Sequence, residues 1–131
     1  MLGDLIVEER SKTTGVRVLP DGKVEQSAQG SGKAWGVEYN SVETFMTTFR
    51  PDGTLWFEGQ GISTTKDGDA VMFRGSGLGR STGPGWSSAG RGTIYFQTQS
   101  QRLAKANQTV GVFEFESDAE GNGHVKIWEW K

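Results

Sequence analysis

The sequence predicts an all-β protein in which residues 1–131 form a single antiparallel up-and-down β-barrel of about eight strands. Three observations favour this fold class: tight turns that contain Asp-Gly, intervening segments rich in Thr, Val and aromatic residues, and almost no helix-forming stretch. Closure into a barrel removes the exposed edges that an open meander would keep. A β-sandwich is the competing all-β architecture.

The Asp-Gly turns lie in "LPDGK" at 19–23, "RPDGT" at 50–54 and "TKDGD" at 65–69. Because glycine adopts the positive φ that tight turns require, each of them predicts a hairpin. The segments expected to form strands are about 4–10, 16–19, 23–34, 42–50, 54–64, 69–80, 90–99, 108–117 and 122–130. Only "QRLAKANQ" at 101–108 has helix-forming composition, and it is too short for more than a turn or two.

Composition and charge exclude several classes of function. The net charge is -2, with 14 basic and 16 acidic residues interspersed, so no basic surface is expected to attract nucleic acid. The chain has no cysteine, which excludes disulfides and thiol catalysis and fits a cytoplasmic protein. The N-terminal "MLGDLIVEERSK" predicts neither a signal peptide nor a membrane span. No membrane partner and no cofactor are therefore expected.

The sequence offers no pattern typical of a metal site. His124 is the only histidine, so neither a multi-histidine metal site nor a catalytic triad with a spare base is expected, and a solvated surface position is predicted for it. The acidic segment "ESDAEGNG" at 116–123 lacks the flanking helix and the bidentate glutamate of a calcium loop. It is predicted to be a charged hairpin turn.

Glycine is concentrated in "FRGSGLGRSTGPGWSSAGRG" at 73–92. The first glycines resemble a phosphate-binding loop, but no helix follows them, as such a loop requires. They recur instead with period two, and the same spacing occurs in three further pairs, Gly30/Gly32, Gly59/Gly61 and Gly90/Gly92. Side chains alternate between the faces of a strand, so each pair lies on one face, where it lets the sheet bend or leaves space beside it.

The glycine face is expected to point into the barrel, because the charged residues of segments 54–64 and 69–80 avoid it. It predicts an apolar pocket floored by aromatic rings and open at the glycine end, near "STGPGWSSAG". The residues assigned to this pocket are Phe45, Thr47, Phe57, Gly59, Phe73, Gly75, Gly77, Phe96, Thr98 and Phe113. The alternative interpretation is that the glycines only permit curvature and that Trp86 or the N-terminal strand fills the space.

The assignment of faces also decides which chemistry the interior offers. With the glycine face inside, the interior contains hydroxyl groups but no acid or base. With the faces reversed, Glu58, Arg74, Tyr95 and Glu114 turn inward and become candidate catalytic groups with perturbed pKa values.

The segments "AQGSGKAW", "TFMTTFRPDGTLWFEGQG" and "GDAVMFRGSGLG" resemble those of small bacterial proteins of unknown function with an allene oxide cyclase-like barrel, a group related in fold to the plant dirigent proteins. The resemblance covers about residues 24–98 and consists of glycine spacing and turn pattern. It implies an eight-stranded antiparallel barrel, often oligomeric, with an apolar cavity in the members that bind or cyclise hydrophobic substrates. It assigns no catalytic residue to a position in this sequence.

Three hypotheses of function follow. The protein binds a small apolar ligand in a barrel cavity, or it is a cyclase- or isomerase-like enzyme acting on a hydrophobic small molecule, or it is a structural interaction module. The third hypothesis uses Trp56, Trp128 and Trp130, which are expected on the outer face of the barrel. Exposed tryptophans are typical of interfaces, so a homo-oligomer, either a dimer or a trimer, is predicted.

Overall fold

A computed structural model describes all residues from Met1 to Lys131. Its elements are β1 (Leu2–Val18), β2 (Val24–Ala34), β3 (Val37–Phe49), β4 (Leu55–Thr64), β5 (Ala70–Ser81), β6 (Ser88–Thr98), a 3-10 helix (Ala104–Gln108), β7 (Val110–Ser117) and β8 (Asn122–Trp130). Each strand pairs antiparallel with the next, and β8 closes the barrel on β1. The predicted up-and-down barrel is therefore confirmed. No helix has the length and apolar character needed to cross a membrane.

The three Asp-Gly hairpin turns are confirmed. Gly22, Gly53 and Gly68 have φ angles of 90°, 88° and 91°, in the region that favours glycine. The amide of each glycine donates a hydrogen bond of 2.9 to 3.0 Å to the carbonyl three residues earlier. These turns fix how β1 pairs with β2, how β3 pairs with β4, and how β4 pairs with β5.

Two strands are longer than predicted. Segments 4–10 and 16–19 both belong to β1, whose pairing with β2 shifts register between Thr13 and Gly15. Strand β3 begins at Val37, because the turn before it is formed by Trp35 and Gly36, with φ angles of 50° and 80°. A tryptophan with positive φ is uncommon, so composition does not mark this turn.

The glycine face points into the barrel, as predicted. The odd-numbered residues of β4 and β5 face inward, and the even-numbered Glu58 and Arg74 are exposed. Tyr95 is 56% exposed, and Glu114 also lies on the outer surface. The reversed faces that would make these four residues catalytic are therefore not found.

The outer face of β8 and β1 carries apolar side chains near the chain termini. Trp130 is 54% exposed and pairs with Leu2, and the partly buried Trp128 pairs with Leu5. Trp56 is also partly buried, on the outer face of β4. A dimer or trimer formed through these side chains stays a prediction.

Candidate ligand-binding cavity

Several of the phenylalanine rings inside the barrel lie over glycines of a neighbouring strand. A Cβ atom built at Gly90 would lie 2.7 Å from Cε1 of Phe115, and one at Gly92 would lie 2.8 Å from Cζ of Phe113. Glycine is needed at both positions, because any side chain there would collide with the ring. The space beside Gly90 and Gly92 is thus occupied by phenyl rings.

A cavity of about 220 Å³ nevertheless remains inside the barrel. Six phenylalanines border it, namely Phe45, Phe57, Phe73, Phe96, Phe113 and Phe115. Each of these rings keeps part of its surface accessible, and no large side chain of the chain is fully buried. A close-packed core would cover such rings completely, so the barrel is hollow. For comparison, an apolar cavity of about 150 Å³ accommodates benzene.

The predicted pocket residues divide into two groups. The seven that border the cavity are Phe45, Phe57, Gly59, Phe73, Gly75, Phe96 and Phe113. The other three, Thr47, Gly77 and Thr98, are buried without bordering it. The Thr98 hydroxyl donates to the carbonyl of Ala70 at 2.6 Å, so it is already satisfied within the sheet. The two threonines therefore do not supply polar groups to the cavity, and ligand binding at the other positions stays a prediction.

A tryptophan borders the cavity near each end of the barrel. Trp35, in the turn between β2 and β3, packs edge-on against Phe96 with the ring centroids 5.4 Å apart. Trp86, in the loop between β5 and β6, is 38% exposed and borders the cavity from the opposite end. Trp86 fills only part of the space, because the cavity persists beside it.

A polar cluster interrupts the apolar lining where β1 and β3 approach across the interior. It consists of Glu9, Tyr39, Ser41 and Glu43, and we call it the Glu9 cluster. Oε1 of Glu9, which is only 7% exposed, accepts hydrogen bonds from the hydroxyls of Tyr39 at 2.8 Å and Ser41 at 3.1 Å. The Ser41 hydroxyl also lies 3.4 Å from Oε2 of Glu43. The interior therefore contains an acid pair, and the prediction of an interior without acid or base is wrong.

Glu43 keeps its proton at neutral pH. Burial, the charge of Glu9 and a hydrogen bond to Glu9 together raise the pKa of Glu43 to about 9. Burial raises the pKa of Tyr39 as well, and the Glu9 carboxylate and its hydrogen bond add to that effect, so the phenol stays protonated and donates. Glu43 is thus a neutral acid at pH 7 and lies beside the negative charge of Glu9.

The glycine pair of β2 makes room for the Glu9 cluster. A Cβ atom at Gly30 would lie 2.8 Å from Cδ of Glu9 and 2.7 Å from Oγ of Ser41. One at Gly32 would lie 2.9 Å from Cα of Glu9. Gly32 therefore lets the backbone of β1 come close, and Gly30 gives a carboxyl group the space that a phenyl ring occupies over the glycines of β6.

None of the four cluster residues is among the predicted site residues. The alternation that places Phe45 inside also places Glu43 inside, so the sequence contained a signal for this residue. Extending the same alternation to Ser41 and Tyr39 requires that β3 begin at Val37, which the composition did not show.

Glu9 carries no comparable sequence signal. The pairing of β1 with β8 shifts register between Leu5 and Val7, and Ile6 and Val7 are both buried. This irregularity breaks the alternation just before Glu9, so the pattern does not show which face its side chain occupies.

No cationic side chain compensates the charge of the Glu9 cluster. No lysine or arginine borders the cavity. His124 is engaged on the outside of the barrel, where its Nε2 lies 2.6 Å from Oε2 of the exposed Glu8. The hydrogen bond to His124 is the largest cause of a lowered pKa at Glu8. No set of three acidic or histidine residues lies close enough together to hold a metal ion.

The barrel is similar to several solved structures. It aligns with a protein of unknown function from Clostridium acetobutylicum ATCC 824 at a TM-score of 0.81 and 12% identity, over 98% of both chains. A conserved protein of unknown function from Rhodopseudomonas palustris aligns at a TM-score of 0.81 and 13% identity, over 98% of this chain and 97% of the other. A β-barrel-like protein from Acinetobacter baumannii AYE aligns at a TM-score of 0.82 and 12% identity, over 100% of this chain and 96% of the other.

These similarities concern the fold alone, because the identities are so low. No protein-family model matches the sequence. No curated protein matches it either. The protein is a β-barrel whose function has to be argued from the chemistry of its cavity.

Proposed function

We propose that the protein binds a small, mainly apolar ligand in the barrel cavity. The observation that carries this proposal is the accessible surface that six inward-facing phenylalanines keep around about 220 Å³ of space. Removing apolar surface from water is favourable by about 25 cal/mol per Å², and rings on several sides favour a flat, ring-shaped ligand. The resemblance to allene oxide cyclase-like barrels supports the same proposal, since it implies an apolar cavity.

A second candidate function is a cyclase- or isomerase-like enzyme acting on a hydrophobic small molecule. One observation favours it: the pair of Glu9 and Glu43 places a carboxylate and a carboxylic acid together beside an apolar cavity. Such a pair can remove a proton at one atom of a substrate and return one at another. The residues first considered for this role, such as Glu58 and Arg74, lie outside the barrel and are unsuited to it.

The test of the binding proposal is to fill the cavity by substitution. Val125 borders the cavity from β8, so Val125→Phe adds a ring inside the barrel. Val42 lies on the outer face of β3 and is 56% exposed, so Val42→Phe adds the same ring outside and is the matched control. Titration calorimetry with 2-phenylethanol, a neutral aromatic probe, should show binding to the wild type and to Val42→Phe.

Binding of 2-phenylethanol to Val125→Phe should be lost or weakened at least about tenfold, which corresponds to about 1.4 kcal/mol. Circular dichroism checks that the variant is folded, because overpacking costs about 1–3 kcal/mol of stability. Equal affinity of the probe for both variants, or no binding of it to the wild type, would contradict the proposal.

A further inference from the structure

A buried negative charge without a counterion is the feature of the cavity that a purely apolar ligand leaves unexplained. The hydroxyls of Tyr39 and Ser41 both donate to Oε1 of Glu9, and no lysine or arginine donates to either of its carboxyl oxygens. A buried carboxylate is costly unless it is paired and fully hydrogen-bonded. No lysine or arginine borders the cavity, so a cation that compensates this charge would have to come from outside the chain.

Gln26 provides a second, independent indication of a ligand at this place. Its side chain is only 7% exposed, it borders the cavity from β2, and its carboxamide makes no hydrogen bond within the protein. In the pairing of β2 with β3, Gln26 lies opposite Phe45 and Ala28 lies opposite Glu43. Gln26 and Glu43 are therefore diagonal neighbours on the inner face, and the amide of Gln26 keeps its polar atoms accessible to the same space as the acid pair.

Apolar surface begins directly beside these polar groups. A Cβ atom at Gly61 would lie 2.9 Å from Cβ of Glu43 and would also contact Cζ of Phe73. The ring of Phe73 therefore passes close to the base of the Glu43 side chain. Phe45 is the next inward residue along β3. A ligand whose charge lies one or two bonds from a ring would meet carboxyl oxygens and phenyl rings together.

We propose that the cavity is selective for small aromatic amines, and that their ammonium group binds between Glu9, Glu43 and Gln26. An ammonium group has three N–H donors and no acceptor, and these side chains offer oxygen acceptors and no cation. The neighbouring phenyl rings contribute a favourable interaction with the positive charge. This inference rests on the proposed function and adds the charge of the ligand to it.

Proton release is a further consequence of the proposal. The pKa of Glu43 is raised by burial and by the charge of Glu9. An ammonium group beside Glu43 favours its ionised form and lowers that pKa, so binding releases a proton. The inward positions of β2, β4 and β8 that face the acid pair carry no titratable group, and Tyr39 of β3 stays protonated. The proton is thus expected to come from Glu43.

The test compares three ligands of the same shape and different charge. We would titrate the wild-type protein with 2-phenylethylamine, 2-phenylethanol and 3-phenylpropanoate by calorimetry at pH 7. A charged hydrogen bond in a buried site contributes about 1.5–3 kcal/mol, so the amine should bind about 10- to 100-fold more tightly than the alcohol. The carboxylate should bind more weakly than either. Repeating the amine titration in buffers of different ionisation enthalpy should reveal the released proton.

Substitution then locates the preference for the amine. A single change, such as Glu9→Gln, leaves one carboxyl that ionises more easily once its neighbour is neutral, so only part of the preference should disappear. The double variant Glu9→Gln with Glu43→Gln should bind the amine and the alcohol within about twofold of each other. Glu58→Gln removes an exposed carboxylate from the outer surface and should leave the preference unchanged.

The outcomes separate this inference from the proposed function. If the alcohol binds as tightly as the amine, the cavity binds small apolar ligands without charge selectivity, and the inference is overturned alone. If none of the three ligands binds, both proposals fail. A preference for the amine that survives in the double variant would also overturn the inference, because the charge would then be recognised elsewhere.

Discussion

On the β1–β3 side of the barrel, a carboxyl group lies over Gly30 of the β2 glycine pair, and on the β5–β7 side, phenyl rings lie over both glycines of the β6 pair. The spacing of the glycines is the same in both places. The difference comes from the strand next to the glycines, which supplies Glu9 in one case and Phe113 in the other. A glycine pair thus predicts that atoms of a neighbouring strand lie close to the glycines, but not which residue supplies them. We call the side with Glu9 and Glu43 the acidic wall, and the side with Phe113 and Phe115 the aromatic wall.

Gly30 and Gly92 also differ in what would obstruct a side chain. A Cβ atom at Gly30 would meet the ends of side chains, Oε2 of Glu9 and Oγ of Ser41. One at Gly92 would meet Cα of Gly77 at 2.6 Å, and the neighbouring backbone cannot rotate away. Gly30, on the acidic wall, should therefore tolerate a methyl group better than Gly92, on the aromatic wall, does.

The largest expected effect is the destabilisation caused by Gly92→Ala. Because its methyl group collides with the backbone of β5, the substitution should lower the free energy of unfolding by about 3 kcal/mol or more. Gly30→Ala should cost only about 1–2 kcal/mol, because Glu9 and Ser41 can turn aside at the expense of their hydrogen bond. Urea unfolding measures both values.

Gly15→Ala is the matched control for these two variants. Gly15 lies in β1, and a Cβ atom there would have no other atom within 4 Å. The control should change stability by less than about 0.5 kcal/mol. Equal losses for Gly30→Ala and Gly92→Ala would show that the two walls are equally rigid, and the comparison would fail.

The parts of the fold that the sequence predicted are those encoded by local chemistry. The Asp-Gly turns, the alternation in β4 and β5 and the lack of helix identified the barrel and its inner face. All five phenylalanines assigned to the pocket, Phe45, Phe57, Phe73, Phe96 and Phe113, do border the cavity. These features depend on residues within one hairpin, where spacing alone determines geometry.

The acidic wall could not be predicted in the same way, because it depends on contacts between distant strands. Tyr39 and Glu9 are separated by 30 residues, and their hydrogen bond forms only because β2 lies between β1 and β3 with glycines at its inner face. Because the turn at Trp35 has no typical turn residue at that position, the sequence did not show where β3 starts. Because the register shifts before Val7, the sequence did not show which residues of β1 face inward. A glutamate in an apolar strand normally indicates an exposed face, and here tertiary structure overrides that rule.

A smaller effect is expected in the pH dependence of stability. In the folded protein Glu43 keeps its proton up to a pKa of about 9, whereas its ordinary value is 4.5. Between these values the folded state binds more protons than the unfolded state, so the free energy of unfolding falls as pH rises. Between pH 5 and pH 8 the contribution of Glu43 to this fall should be about 1 kcal/mol for each pH unit.

Glu43→Gln should remove that contribution, so the variant gains on the wild type as the pH rises, while Glu58→Gln keeps the wild-type slope. Urea unfolding at pH 5, 6, 7 and 8 gives the comparison. Parallel curves for the wild type and Glu43→Gln would mean that Glu43 titrates in the folded protein much as it does in the unfolded chain. The acidic wall would then be open to water, unlike the aromatic wall opposite.

The smallest effect is expected on the outer surface, where the same residue types have no cavity to face. Glu58 and Arg74 are both exposed and form no ion pair with each other, because β4 and β5 place them opposite Ser76 and Gln60. Glu58→Ala and Arg74→Ala should therefore each change the free energy of unfolding by less than about 0.5 kcal/mol and leave the affinity for 2-phenylethanol unchanged. A loss of ligand affinity in either variant would indicate that the ligand binds outside the barrel. In that case neither interior wall, acidic or aromatic, would be the binding surface.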